Sequence, residues 1–140
     1  MVQVLEKIDI ERIRIVDTED IREIRSALES LLYVPNAQVR PRIIEELCRY
    51  LQSKLNDKEY KIKVFIGYEN SEVIGFVTCQ IDPYYSSYSR KCGTFGWLHA
   101  HSFEVCREMI QACEQYIKQN RVRKLRGNIN YPKNLRGIGV

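Results

Sequence analysis

Tyr60-Lys61-Ile62-Lys63-Val64-Phe65-Ile66-Gly67-Tyr68, then Glu69-Asn70-Ser71-Glu72, then Val73-Ile74-Gly75-Phe76-Val77-Thr78-Cys79-Gln80-Ile81-Asp82: this stretch decides the fold. Ile62, Val64, Ile66 and Tyr68 recur at a period of two, which sets them on one face of a strand. A second run rich in β-branched residues follows a short polar turn, so the two predict an antiparallel hairpin.

Downstream, residues 83–91 read as a polar, tyrosine-rich loop carrying Tyr84, Tyr85 and Tyr88, and Cys92 to His101 as a third strand of the same meander. Ser102 is placed to cap a helix from Phe103 to about Gln119, with Phe103, Cys106, Met109, Ile110, Cys113, Tyr116 and Ile117 on one face. Val122 to Asn130 then reads as a final strand. Joined to its predecessor by a helix-length crossover, it should run parallel to it.

Upstream, Ile8 to Val16 alternates isoleucine with charge, as a half-buried strand does, and Asp17 and Thr18 are expected to cap the helix that follows. Ile21, Ile24, Leu28, Leu31 and Leu32 keep helical spacing through residue 33 until Pro35-Asn36 breaks it. Pro41 suits the first turn of a second helix, whose stripe Ile44, Leu47, Leu51 and Leu55 ends at Asn56-Asp57. The order β-α-α-β-β-β-α-β predicts an α/β (α+β) domain built on a mixed sheet. With no repeat or linker in the sequence, residues 1–140 are read as one domain.

The net charge of +4 is unevenly held. After Glu114 stand seven cations (Lys118, Arg121, Arg123, Lys124, Arg126, Lys133, Arg136) and no acid, so the rest of the chain is slightly acidic. A basic C-terminal quarter suggests an anionic partner: a nucleotide-like cofactor, a nucleic acid or an acidic protein. No recognised nucleic-acid motif accompanies the charge. No apolar run is long enough to span a bilayer and nothing resembles a signal peptide, so a cytoplasmic location and no membrane partner are expected. The five cysteines form no CxxC pair and read as small buried hydrophobes.

The order of elements is similar to that of the GNAT superfamily of N-acetyltransferases, and Glu72-Val73-Ile74-Gly75-Phe76-Val77 resembles its third-strand phrase. Gly93-Thr94-Phe95-Gly96-Trp97, the following helix, Arg126-Gly127-Asn128-Ile129-Asn130, Asn134 and Gly137 resemble a divergent branch of it, with Asn128 where that branch has proline. The resemblance implies acetyl-CoA in a notch where the fourth and fifth strands part. Pantetheine would pair with the fourth strand and the pyrophosphate would sit on the next helix N-terminus, where unpaired N–H groups favour an anion. It assigns cofactor binding to Trp97, Leu98, His101, Ser102 and Asn134, and makes an amine the acceptor. The family's glycine-rich phosphate loop is not present at Leu98-His99-Ala100-His101-Ser102-Phe103-Glu104, which carries a carboxylate instead. Arg136-Gly137-Ile138-Gly139 resembles that loop and offers an alternative placement, one that would end the chain before any phosphate-binding helix. On the first placement the fold is incomplete at its C-terminus. Val140 falls where a fourth main helix should start, so the expectation is either a second copy, in a homo-oligomer, covering the exposed sheet edge or a truncated product with an incomplete site.

His99 and His101 are the chain's two histidines, and strand alternation would put them on one face. The family's chemistry needs a base for the acceptor amine, and imidazole titrates in the right range, so His99 and His101 are the expected catalytic residues. With Cys106 they would make only a thin metal site, and none is expected. The loop tyrosines would either meet the acceptor or cap the open sheet. The competing function is a GNAT-like module that binds a ligand or protein without catalysis; nucleic-acid binding stands third.

Overall fold

A computed structural model describes residues 13–83, 86–87 and 90–132. The first part of the expected opening strand (residues 8–12), Tyr84, Tyr85, Tyr88, Asn134 and Arg136 to Gly139 lie outside the described residues.

Strand β1 is Ile13–Thr18, helix α1 Ile21–Leu31 and helix α2 Arg40–Leu55. Strands β2, Lys61–Glu69, and β3, Glu72–Ile81, form the expected hairpin, followed by a two-residue β4, Ser86–Ser87, and a long β5, Arg90–Ala100. Helix α3, Phe103–Gln119, and a short β6, Lys124–Arg126, complete the order. The sheet runs β1-β2-β3-β5, antiparallel throughout, with β6 parallel to β5 at Cys92–Thr94. The mixed sheet and the parallel final pair match the expectation. β4, inside the expected loop, pairs with the first residues of β5.

Several boundaries differ from the sequence reading. Asp17 and Thr18 belong to β1, and the α1 cap is Asp20, whose carboxylate accepts from Arg22 N–H. An Asp two residues further along could reach the first-turn amide while Thr18 could still complete the strand. The final strand pairs for three residues only, because the chain leaves the ladder at Gly127. On α3 the buried residues are Val105, Met109, Cys113 and Ile117, whereas Phe103 is 79% exposed. A strict four-residue spacing fixes the buried line, and Phe103 lies outside it.

The two faces of the sheet carry different helices. α1 and α2 cover Ile62, Val64, Ile66, Phe76 and Trp97 with Ile24, Leu28, Ile43, Leu47 and Leu51. α3 covers Val77, Cys79 and Ile81. Gly93 permits the close fit of α3, since a Cβ there would stand 2.5 Å from Ile117 Cγ2. Four cysteines are buried and Cys106 is partly so. Among the described residues no helix is long and apolar enough to cross a membrane.

Candidate functional site

The site begins with an extra residue. Phe76 faces His99 and Thr78 faces Gly96, so β5 spends three steps where β3 spends two. Such a bulge twists a strand out of its ladder and leaves backbone groups unpaired. Trp97 sits at the bulge with φ 51°, in the left-handed region that bulky residues rarely occupy. Three side chains take over the lost bonds. Thr78 Oγ1 donates to Gly96 O at 3.1 Å, Trp97 N–H donates to Asn130 Oδ1 at 2.7 Å, and the His99 ring meets Trp97 O at 2.9 Å through Nδ1.

The same bulge controls the neighbour on the open side. Beyond β6, Ile129 N–H donates to Phe95 O at 2.8 Å, and Trp97 Nε1–H to Tyr131 O at 2.7 Å. This close approach requires Gly96, where a Cβ would lie 2.1 Å from Ile129 O. The 129–131 segment therefore follows β5 as far as Trp97. From Leu98 to Ala100, β5 has no strand neighbour on that side among the described residues. His99 pairs with Phe76, and His101 N–H reaches Ile74 O at 3.0 Å, so the backbone groups of Leu98 and Ala100 between them point away from β3, toward the open side.

That open edge runs directly into the start of α3. Ser102 is the N-cap, as expected, with Oγ accepting from Val105 N–H at 3.2 Å and its carbonyl from Cys106 N–H. The amides of Phe103 and Glu104 remain at the helix mouth, beside the Glu104 carboxylate.

The expected site residues fall into different places. Leu98, His99, His101 and Ser102 gather at the free edge and the α3 start, whereas Trp97 is 2% exposed and stands behind the edge with both its N–H groups engaged. His101 is exposed in the bend after β5, and its ring has no partner among the described residues. His99 is half-buried and directed to the corner between α1 and α2, where Tyr33 N–H lies 3.4 Å from Nε2. Among the described residues no cluster could hold a metal ion.

Lys118, Arg121, Arg123 and Lys124 stand at the C-terminal end of α3, level with Cys92 at the start of β5. Ser102 is at the other end, a helix length of roughly 25 Å away. An antiparallel return puts the two ends of a crossover helix at opposite ends of the sheet.

Sequence reasoning missed Thr78, Asn130, Tyr33 and Arg40. Arg40 joins α2 to α1 by donating to Leu32 O at 2.9 Å, Leu28 O at 3.1 Å and Glu29 O. Thr78 and Asn130 are buried polar residues amid apolar neighbours, which is the signal that could have found them. Near the other end of β3, Tyr50 Oη donates to Gln80 Oε1 at 3.4 Å. Burial above all, and then Tyr50, pushes the Tyr60 phenol far up, so that phenol is a weaker acid than a free tyrosine. Open space also flanks α3. One cavity of about 390 Å³ is lined by Ile15, Lys63, Phe65 and Gln115.

The sequence matches the family described as "Acetyltransferase (GNAT) domain" over residues 13–140. No curated protein sequence matches it. Among solved structures, the aminoglycoside N-acetyltransferase AAC(6')-Iy bound to a CoA bisubstrate analogue aligns with a TM-score of 0.58 at 14% identity, over 88% of this chain and 83% of that one. A predicted acetyltransferase from Clostridium acetobutylicum, solved with acetyl-CoA, aligns with a TM-score of 0.58 at 19% identity, over 90% and 84%. The ribosomal-protein-alanine N-acetyltransferase of Brucella melitensis aligns with a TM-score of 0.55 at 17% identity, over 89% and 86%. At these identities the structures speak for the fold alone, while the family match spans nearly the whole described chain: the protein belongs to the GNAT acetyltransferase family.

Proposed function

We propose that the protein is an acetyl-CoA-dependent N-acyltransferase with an amine acceptor. The observation that supports this best is the free edge of β5 from Leu98 to Ala100, opened by the bulge at Trp97 and leading straight to the Ser102 cap. An amide-bearing arm such as pantetheine pairs with such an edge as a strand would. When bound, acetyl-CoA supplies the thioester carbonyl that an amine attacks.

Leu98 and Ala100 offer backbone partners to the arm. Ser102 and the first amides of α3 face the pyrophosphate, and Asn134 is proposed to contribute from beyond the described residues. Trp97 shapes this edge from behind. Of the expected bases, His101 has the exposed ring, able to take the proton of the acceptor amine on a ring nitrogen. An amine acceptor is in keeping with two fold relatives whose names give aminoglycosides and a ribosomal protein's alanine as what they acetylate. The acceptor proposed for this chain is a primary amine.

Glu104 favours a second reading, a module of this fold that binds a ligand or a protein without acetyl transfer. A carboxylate in the first turn of α3, with no glycine loop before it, opposes a pyrophosphate. Calorimetric titration with acetyl-CoA and with CoA, at two salt concentrations, separates the two. Saturable micromolar binding that weakens with salt supports the transferase and justifies an amine screen, whereas the absence of binding leaves the second reading.

A further inference from the structure

We infer that His99 is a positioning residue: its imidazole ties the bulge of β5 to the corner between α1 and α2, which leaves His101 as the base. The inference deepens the proposed transferase and rests on it only for which reaction is being positioned.

The hydrogen-bond senses carry the argument. Trp97 O can only accept, so His99 Nδ1, at 2.9 Å, carries the hydrogen. In the neutral ring the lone pair is then on Nε2, and Tyr33 N–H, which can only donate, lies 3.4 Å from it. Both contacts are satisfied by one tautomer and by no other state of the ring. A general base must aim a free lone pair at the acceptor, and the one lone pair of His99 is directed at a backbone amide.

The corner it holds is anchored from two sides. α1 ends at Leu31, and Leu32 N–H closes onto Leu28 O. From α2, the Arg40 guanidinium takes the carbonyls of Leu28, Glu29 and Leu32. From the sheet, His99 takes the amide of Tyr33. Between these anchors the Tyr33 side chain stands 73% exposed on a fixed backbone, next to the free edge of β5. Through His99, the bulge that opens the edge also sets the place of an exposed aromatic residue beside it. Aromatic side chains fixed in this way are suited to contacting a bound acceptor.

The test uses the full chain and two variants. Long-range ¹H–¹⁵N correlation of the wild-type imidazoles should show His99 with Nδ1 protonated and Nε2 bare. His99→Asn keeps a short side-chain donor for Trp97 O but does not reach Tyr33, and His99→Gln restores an acceptor at the longer reach. Tyr33 amide exchange should quicken about fivefold in the Asn variant and return toward wild type in the Gln variant. With a working amine acceptor, the Asn variant should raise the acceptor KM with kcat nearly unchanged. A Tyr33 amide that exchanges equally in all three proteins, or a His99 protonated on Nε2, overturns the inference. So does a kcat loss of about a hundredfold with KM unmoved, the signature of a missing base. If no acetyl transfer is found at all, the proposed transferase fails, while the tautomer and the exchange rates still decide the role of His99. Should the Asn variant not fold, the wild-type tautomer decides.

Discussion

Trp97 holds a left-handed backbone with a side chain that is 2% exposed, and such a residue persists only where its surroundings over-determine it. Thr78, His99 and Asn130 do so by taking the backbone groups that the bulge leaves out. Asn130→Ala should therefore cost about 1–3 kcal/mol, because the Trp97 amide would be left buried without a partner. The urea midpoint reads this loss, and Asn130→Asp, which keeps the accepting oxygen, should recover most of it. Buried thiols give a second prediction at this scale. The Cys113 contact and then burial push the Cys79 thiol far up, and burial pushes up Cys48 and Cys92. A group raised in the folded state keeps its proton there longer than in the unfolded chain. Its contribution is complete below the ordinary thiol value of 9.0 and is lost as pH rises beyond it. Tyr60 moves in the same direction, and burial pushes Tyr116 to about 12. The urea midpoint should hold between pH 7 and 8 and fall toward pH 11. In the native state at pH 8, a thiol reagent should react quickly with Cys106 and slowly with the other four cysteines.

At the scale of elements, what was legible is what periodicity encodes. The hairpin from Lys61 to Ile81, both helices before it and α3 after it stand where alternation and helical spacing placed them. The sequence did not disclose the bulge, because Gly96-Trp97-Leu98 has the composition of any buried strand and an extra residue becomes visible only against its partner strand. For the same reason His99 and His101 read as an equivalent pair, although one ring is engaged by the corner and the other has no partner among the described residues. β6 proved shorter than expected because the residues after Arg126 are held by Phe95 O and by the Asn130 side chain rather than by a ladder. Gly96 tests this account of the element. Gly96→Ala sets a methyl against Ile129 O and should push the 129–131 segment off β5, at about 1–3 kcal/mol. Gly67→Ala is the comparison. Its nearest contact is the movable Ile15 Cδ1 at 3.2 Å, so its loss should be smaller in the same denaturation series.

Across the whole molecule, four of the cations that follow Glu114 gather at one end of α3. Glu104 stands at the N-terminus beside the free edge, while Lys118, Arg121, Arg123 and Lys124 gather at the other end, where they also complement the helix dipole. If acetyl-CoA lies along Leu98 to Ser102, its phosphates meet Glu104 and are about 25 Å of helix from the basic end, well beyond the screening length of roughly 8 Å at physiological salt. The two ends should then answer differently. Glu104→Gln removes a repulsion at the helix mouth and should tighten CoA binding about two- to fivefold, with the gain shrinking as salt is added. Arg121→Glu with Arg123→Glu reverses charge at the far end and should leave the CoA affinity within about twofold at physiological salt. Calorimetry on both variants decides the orientation of the cofactor. The reverse pattern, with affinity lost at Arg121 and Arg123 and unmoved at Glu104, would place the phosphates at the β6 end, and the free edge of β5 would then need another occupant.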